Sequence, residues 1–99
     1  MSEKSIDEMT KRAHHLGFRQ GYEIANRTQI DESIPKEAFV DSVLEAVLDS
    51  LESTVLKTIS HELDLMNKKY PAFDSWKVFA DAVMEGAGEN FWDRVSNEE

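Results

Sequence analysis

PKEAFVDSVLEAVLDSLESTVLKTISHELDLMNKKY, from Pro35 to Tyr70, is the stretch whose reading decides the fold. Between Lys36 and Tyr70 it contains no glycine and no proline. Leu44, Leu48, Leu51, Val55, Ile59, Leu63 and Met66 recur three or four residues apart. That spacing places them on one face of an α-helix, and no period-two alternation competes with it. An unbroken helix over the stretch would run to about 50 Å. A compact domain of this size has a radius of gyration of only about 13 Å. Two outcomes follow: the helix breaks near Ser53-Thr54, where polar and β-branched residues weaken it, or it extends along a partner.

The first half of the stretch is also unusually apolar. Phe39, Val40, Val43, Leu44, Val47, Leu48 and Leu51 cover about half the circumference, wider than the ~100° stripe of an ordinary surface helix. Ala38, Ser42, Ala46 and Ser50 add a ridge of small residues that permits close helix approach. A central helix within one monomer accounts for this width. A homodimer, with Val40, Leu44, Val47, Leu48 and Leu51 as its core, accounts for it as well, and is the expected state.

Upstream, Ser5 followed by Glu8 reads as a capping box, in which each side chain satisfies a free N–H at a helix start. Ile6, Met9, Ala13, Leu16 and Ile24 follow at helical spacing. Gly17 and Gly21 lie one turn apart, and each costs a helix about 1 kcal/mol relative to alanine. The helix either breaks there or meets a second backbone on that bare surface; the continuing rhythm of Phe18, Tyr22 and Ala25 predicts one helix to about Arg27. Thr28 to Ser33 reads as a loop, with Ser33 as N-cap and Pro35 in the first turn of the next helix.

Downstream, Tyr70-Pro71 ends the long element, and Asp74 caps a third helix with Phe73 and Val78 placed for a hydrophobic staple. Trp76, Phe79, Ala80, Val83 and Met84 form its inward face. Gly86 and Gly88 are expected to stop it, leaving Phe91, Trp92 and Val95 on a short C-terminal helix. The expected fold is thus a single all-α domain over residues 1–99. It is a small helical bundle with one long central helix, two further main helices and a short terminal one, frayed at 1–4 and 97–99.

Composition narrows the function classes. Cysteine is absent, which excludes disulfide scaffolds, thiolate metal sites and cysteine nucleophiles. The start, Met1-Ser2-Glu3-Lys4-Ser5, lacks the basic and apolar regions of a signal peptide, and no run approaches the ~18 apolar residues of a membrane span. The expected location is cytoplasmic. A net charge of -9 disfavours direct nucleic-acid binding. The acid is concentrated between Asp31 and Met66, where nine carboxylates face only Lys36 and Lys57. The first thirty residues, by contrast, carry slightly more base than acid.

Metal and catalytic motifs are incomplete. His14 and His15 are adjacent, so they point about 100° apart on a helix. His61-Glu62 has Leu65, not histidine, at the i+4 position that a zinc-protease helix needs. No metal or cofactor is expected. Asp49 and Glu52 are the only pair spaced for the Mg²⁺-binding carboxylates of helical nucleotide pyrophosphatases, and no second pair accompanies them. There is no phosphate loop, Walker lysine or nucleophile elbow. Ser60-His61-Glu62-Leu63 resembles the opening of the phosphoacceptor box of sensor histidine kinases, which lies on a helix of a dimeric bundle. The resemblance implies His61 as phosphoacceptor and Glu62 as the base beside it. It covers four residues. Asp64-Leu65-Met66 replaces the Arg-Thr-Pro that follows in that family, and 99 residues leave no room for its ATP-binding domain.

The most unusual feature is a single-file row of carboxylates, Glu37, Asp41, Glu45 and Asp49. Like charges at i, i+4 destabilise an isolated helix by a few tenths of a kcal/mol per pair. Solvation, aided for the first acids by the helix N-terminus, is one account of the row. Pairing with Lys11, Arg12, Arg19 or Arg27 is a second. Docking on a basic site of another protein, in imitation of spaced phosphates, is a third. In size, acidity and lack of catalytic motifs the chain is similar to small accessory proteins of phages and mobile elements, including inhibitors of nucleic-acid-binding proteins. The sequence therefore points to a non-enzymatic protein that binds a partner bearing a basic nucleic-acid-binding surface. A structural or oligomerisation module is the alternative, and a helical Mg²⁺-dependent nucleotide hydrolase the third reading.

Overall fold

The computed structural model describes residues 2–28, 33–50 and 52–97, with side chains from residue 6 to residue 95 within those spans. Four helices follow one another: α1 (Ser2–Arg27), α2 (Lys36–Asp49), α3 (Thr54–Lys69) and α4 (Ser75–Asn97). No strand is present among the described residues, and the all-α bundle is as the periodicity predicts. No described helix is long and apolar enough to cross a membrane.

The frame of the molecule is the pairing of α1 with α4. Gly17 lies against Phe79 and Ala82, Gly21 against Val83, and Gly86 against Phe18 and Tyr22. Further on, Asn26 meets Asn90 and the Ala25 carbonyl meets Arg94. Residue numbers rise together along both helices, so the pair is parallel. A Cβ at Gly17, Gly21 or Gly86 would collide with the carbonyl oxygen of Phe79, Val83 or Phe18 respectively. Ala13, Gly17, Gly21 and Ala25, four residues apart and all buried, form the bare ridge that admits α4. The helix-propensity cost of the glycines is offset by dispersion contact between two backbones.

Gly86 accordingly does not stop the helix. The expected break at Gly86 and Gly88 and the separate short C-terminal helix are replaced by one 23-residue α4. Glycine was read as punctuation where it serves packing. At the other end, α1 begins at Ser2, so Ser5 lies inside the helix and is not its cap. Ser2 to Lys4 and Asn97, expected to fray, are helical, while Met1, Glu98 and Glu99 lie outside the described residues.

The long central helix is broken near the predicted place. Ser50 closes α2: its N–H reaches the carbonyls of Ala46 and Val47 at 3.2 and 3.1 Å, and its hydroxyl donates to the Ala46 carbonyl at 2.8 Å. Ser53 then opens α3, its Oγ accepting from the Leu56 N–H at 3.3 Å. The break resets the helical phase. Val55, part of the continuous stripe, is 61% exposed, and Leu56 takes the buried place with Ile59, Leu63 and Met66. The start of α2 also differs from expectation. Pro35, in extended conformation, stands at the N-cap position in place of Ser33 and makes no side-chain capping bond. The residues between, 29–32, fall outside the description.

Asp74 does cap α4, its Oδ1 accepting from the Lys77 N–H at 3.0 Å. The buried Ser75 hydroxyl donates to the Leu63 carbonyl at 2.7 Å, and the Trp76 indole N–H to Asp64 at 2.8 Å. These bonds lock the α3–α4 turn. Phe39, Val43 and Val47 of α2 complete one core with Leu63, Phe79 and Val83. The result is flat and elongated, 48 × 27 × 17 Å.

Candidate functional site

α2 turns Phe39, Val43 and Val47 inward, and the same helical period turns Glu37, Asp41, Glu45 and Asp49 outward, where all four are exposed. Among the described residues no ion pair reaches any of them. Two cations of α1 are engaged elsewhere. Arg12 holds Glu62 of α3 through two bonds, at 2.8 and 3.3 Å, and this partner raises the guanidinium pKa above its ordinary value. Arg19 pairs with Glu23 of its own helix at 3.2 Å. Pairing of the acidic row with Arg12 or Arg19 is therefore absent.

α4 carries an acidic row of its own. Asp81, Glu85, Glu89 and Asp93, also four residues apart, are all exposed on α4. The sequence contains this row plainly, but a helix stopped at Gly86 and Gly88 cuts it in two, and it escaped notice for that reason. Along its α1 side the row is tied to an aromatic ladder. His14, Phe18 and Tyr22 stack one turn apart, with centroids 6.0 and 6.3 Å apart. His14 Nε2 meets Glu85 at 3.0 Å, and the Tyr22 hydroxyl donates to Asp93 at 2.8 Å. That hydrogen bond raises the Tyr22 pKa above the usual phenol range.

Between the two rows runs an open groove of about 460 Å³. Glu37 and Asp41 form one wall, Glu85 and Glu89 the other, and Val40, Met84, Gly88 and Trp92 supply apolar surface between them. Trp92 is 54% exposed. Among the described residues that line it the one cation is Lys36, whose Nζ sits 5.3 Å from the centre of the Trp92 ring while its stem lies over Gly88. The arrangement is an acidic, partly apolar trench. The larger hollow between α1 and α3 differs, because Arg12 and Arg19 balance Glu23 and Glu62 in its lining.

The residues expected to form a dimer core are divided by the structure. Val47 is fully buried in the chain's own core, and Leu44 packs against that core. Val40 lines the groove, Leu48 is 42% exposed, and the side chain of Leu51 lies outside the described residues. Much of the excess apolar width of α2 is thus covered by α1 and α4.

No three metal-ligating side chains converge among the described residues. Asp49 ends α2 and Glu52 lies in the turn beyond it, so the two do not share a helix. His15 and His61 are exposed, and Glu62, beside His61, is held by Arg12. In comparisons with protein-family models, curated proteins and solved structures, nothing matches this chain.

Proposed function

We propose that this chain is a non-enzymatic binding protein whose α2–α4 face docks on a basic surface of a partner protein, in the manner of a small accessory or inhibitor protein. The observation that carries the reading is the groove lined by Glu37 and Asp41 of α2 and by Glu85 and Glu89 of α4, with Lys36 as the one cation among its described lining residues. Like charges at helical spacing cost stability, and a cationic partner offsets that cost while the acidic field speeds its encounter. Nucleic-acid-binding proteins present such a cationic surface, since they neutralise phosphates with Lys and Arg.

The test is cross-linked capture from cells that make the chain, comparing wild type with a variant carrying Glu37→Gln, Asp41→Gln, Glu45→Gln and Asp49→Gln. A basic nucleic-acid-binding protein held by wild type, lost on the variant and released by added salt supports the reading. Capture of the same proteins by both forms overturns it. The alternative, a self-association module, is favoured by the exposure of Leu48, Val55 and Leu65. It requires a sedimentation mass of twice 11.3 kDa that Leu48→Lys returns to the monomer value.

A further inference from the structure

Gly88 is the glycine that the fold does not explain. Gly17, Gly21 and Gly86 each face a backbone that forbids a Cβ, whereas a Cβ at Gly88 would meet only the flexible end of Lys36, at 3.3 Å from Cε. Mid-helix glycine costs about 1 kcal/mol relative to alanine, and nothing in the packing of α4 requires it here. What the missing side chain does produce is depth. Gly88 lies between Val40, Met84 and Trp92 in the acidic groove, at the point where a side chain would fill it.

Lys36 shows what that space accepts. Its aliphatic stem lies over Gly88 and its ammonium rests on the face of Trp92, a cation–π contact between carboxylate walls. An apolar stem on the floor and a cation on the ring is the pattern of a lysine or arginine. The walls add a repeat. Carboxylates four residues apart on a helix stand about 6 Å apart along its axis, and the cations on one edge of a partner helix, at i and i+4, stand at the same interval. An amphipathic helix laid in a groove presents an apolar stripe with flanking side chains on both edges.

Resting on the proposed docking function, we infer that the groove between α2 and α4 receives a basic amphipathic helix of the partner protein. One aliphatic side chain of that helix sits over Gly88, and one cationic side chain takes the place of Lys36 on Trp92. Its flanking cations face Glu37 and Asp41 on one edge and Glu85 and Glu89 on the other. Lys36, long and solvent-facing, swings aside.

The probe is a synthetic peptide about 14 residues long, matching the roughly 21 Å of α2, with a leucine stripe flanked by lysines. Its control is a scrambled peptide of identical composition. Wild-type protein is expected to bind the amphipathic peptide at least about tenfold more tightly than the scrambled one, about 1.4 kcal/mol, with a gain of peptide helicity. Gly88→Gln fills the groove without changing charge, so it should reduce binding of the amphipathic peptide about tenfold and leave the scrambled one alone. A thermal melt of Gly88→Gln unchanged or raised confirms that the fold is intact; Gly88→Ala, which adds less bulk, should weaken binding less. Equal binding of both peptides, with no effect of Gly88→Gln, overturns the groove and leaves the charge-based docking reading standing. A bound peptide that stays non-helical also overturns it. So does a protein dimer that Gly88→Gln dissolves, which would assign the groove to a second copy. Failure of both peptides, together with capture unaffected by the quadruple glutamine variant, removes the docking reading as well.

Discussion

At the scale of single residues, the four glycines have opposite meanings within the same secondary structure. Gly21→Ala places a Cβ against the backbone of Val83, which cannot retreat without parting α1 from α4. The expected loss is about 3 kcal/mol, the upper part of the range for overpacking, read from a denaturant melt. Gly88→Ala meets only the mobile end of Lys36 and should stabilise by up to about 1 kcal/mol through helix propensity. The Tyr22 hydroxyl supplies a pH signature. Its pKa is raised in the folded chain, chiefly by its hydrogen bond to Asp93, so the fold favours the protonated phenol. The stabilisation is complete below the unfolded tyrosine pKa near 10 and is lost as pH rises through the higher folded value. Tyr22→Phe should remove the Tyr22 step above the usual phenol range from an ultraviolet titration and flatten the stability change there.

At the scale of elements, charge and packing on α2 separate cleanly. The buried face, Phe39, Val43 and Val47, holds the helix to the core, while Glu37, Asp41, Glu45 and Asp49 point to solvent with no described ion partner. Changing all four acids to glutamine relieves three i, i+4 repulsions worth a few tenths of a kcal/mol each. It also forfeits the small attraction of Glu37 for the helix N-terminus. The net change in a thermal melt should stay within about 1 kcal/mol and tend upward. A loss above about 2 kcal/mol, beyond an ordinary surface change, would place the row in the service of the fold. The same periodicity argument misfired on α3, where Val55 and Leu56 exchanged roles. A stripe counted across Ser50–Ser53 keeps one phase, but the break rotates everything that follows it.

At the scale of the whole molecule, a net charge of -9 is spread over a flat body in which Glu37 and Asp41 share one groove with Glu85 and Glu89. Self-repulsion of this kind opposes the compact state and is screened by salt. Raising salt from ~0.01 M to ~1 M shrinks the Debye length from about 30 Å to about 3 Å, and the melting temperature of wild type should rise. The rise should be smaller in the quadruple glutamine variant, because that variant removes part of the repulsion at source. A wild-type melting temperature that falls with salt would mean that attractive surface pairs such as Arg12–Glu62 outweigh the repulsion.

The sequence by itself determined that this chain is helical, where the long helix is weakest, that Asp74 starts α4, and that one row of carboxylates lies along α2. Each of these follows from local physics: a 3.6-residue period, weak helix formers at Ser53-Thr54, a capping side chain, a four-residue repeat. Only the tertiary structure decided what the glycines are for, because a bare helix surface signals both a stop and a close neighbour, and the difference lies in whether another backbone arrives. That one ambiguity hid the continuity of α4, and with it the row of Asp81, Glu85, Glu89 and Asp93. The groove was illegible for the same reason. Glu37 and Glu85 are 48 residues apart in the sequence, and nothing local in either helix says that they face each other. Their juxtaposition comes from α2 folding onto a parallel α1–α4 pair, a consequence of which faces had to be buried together.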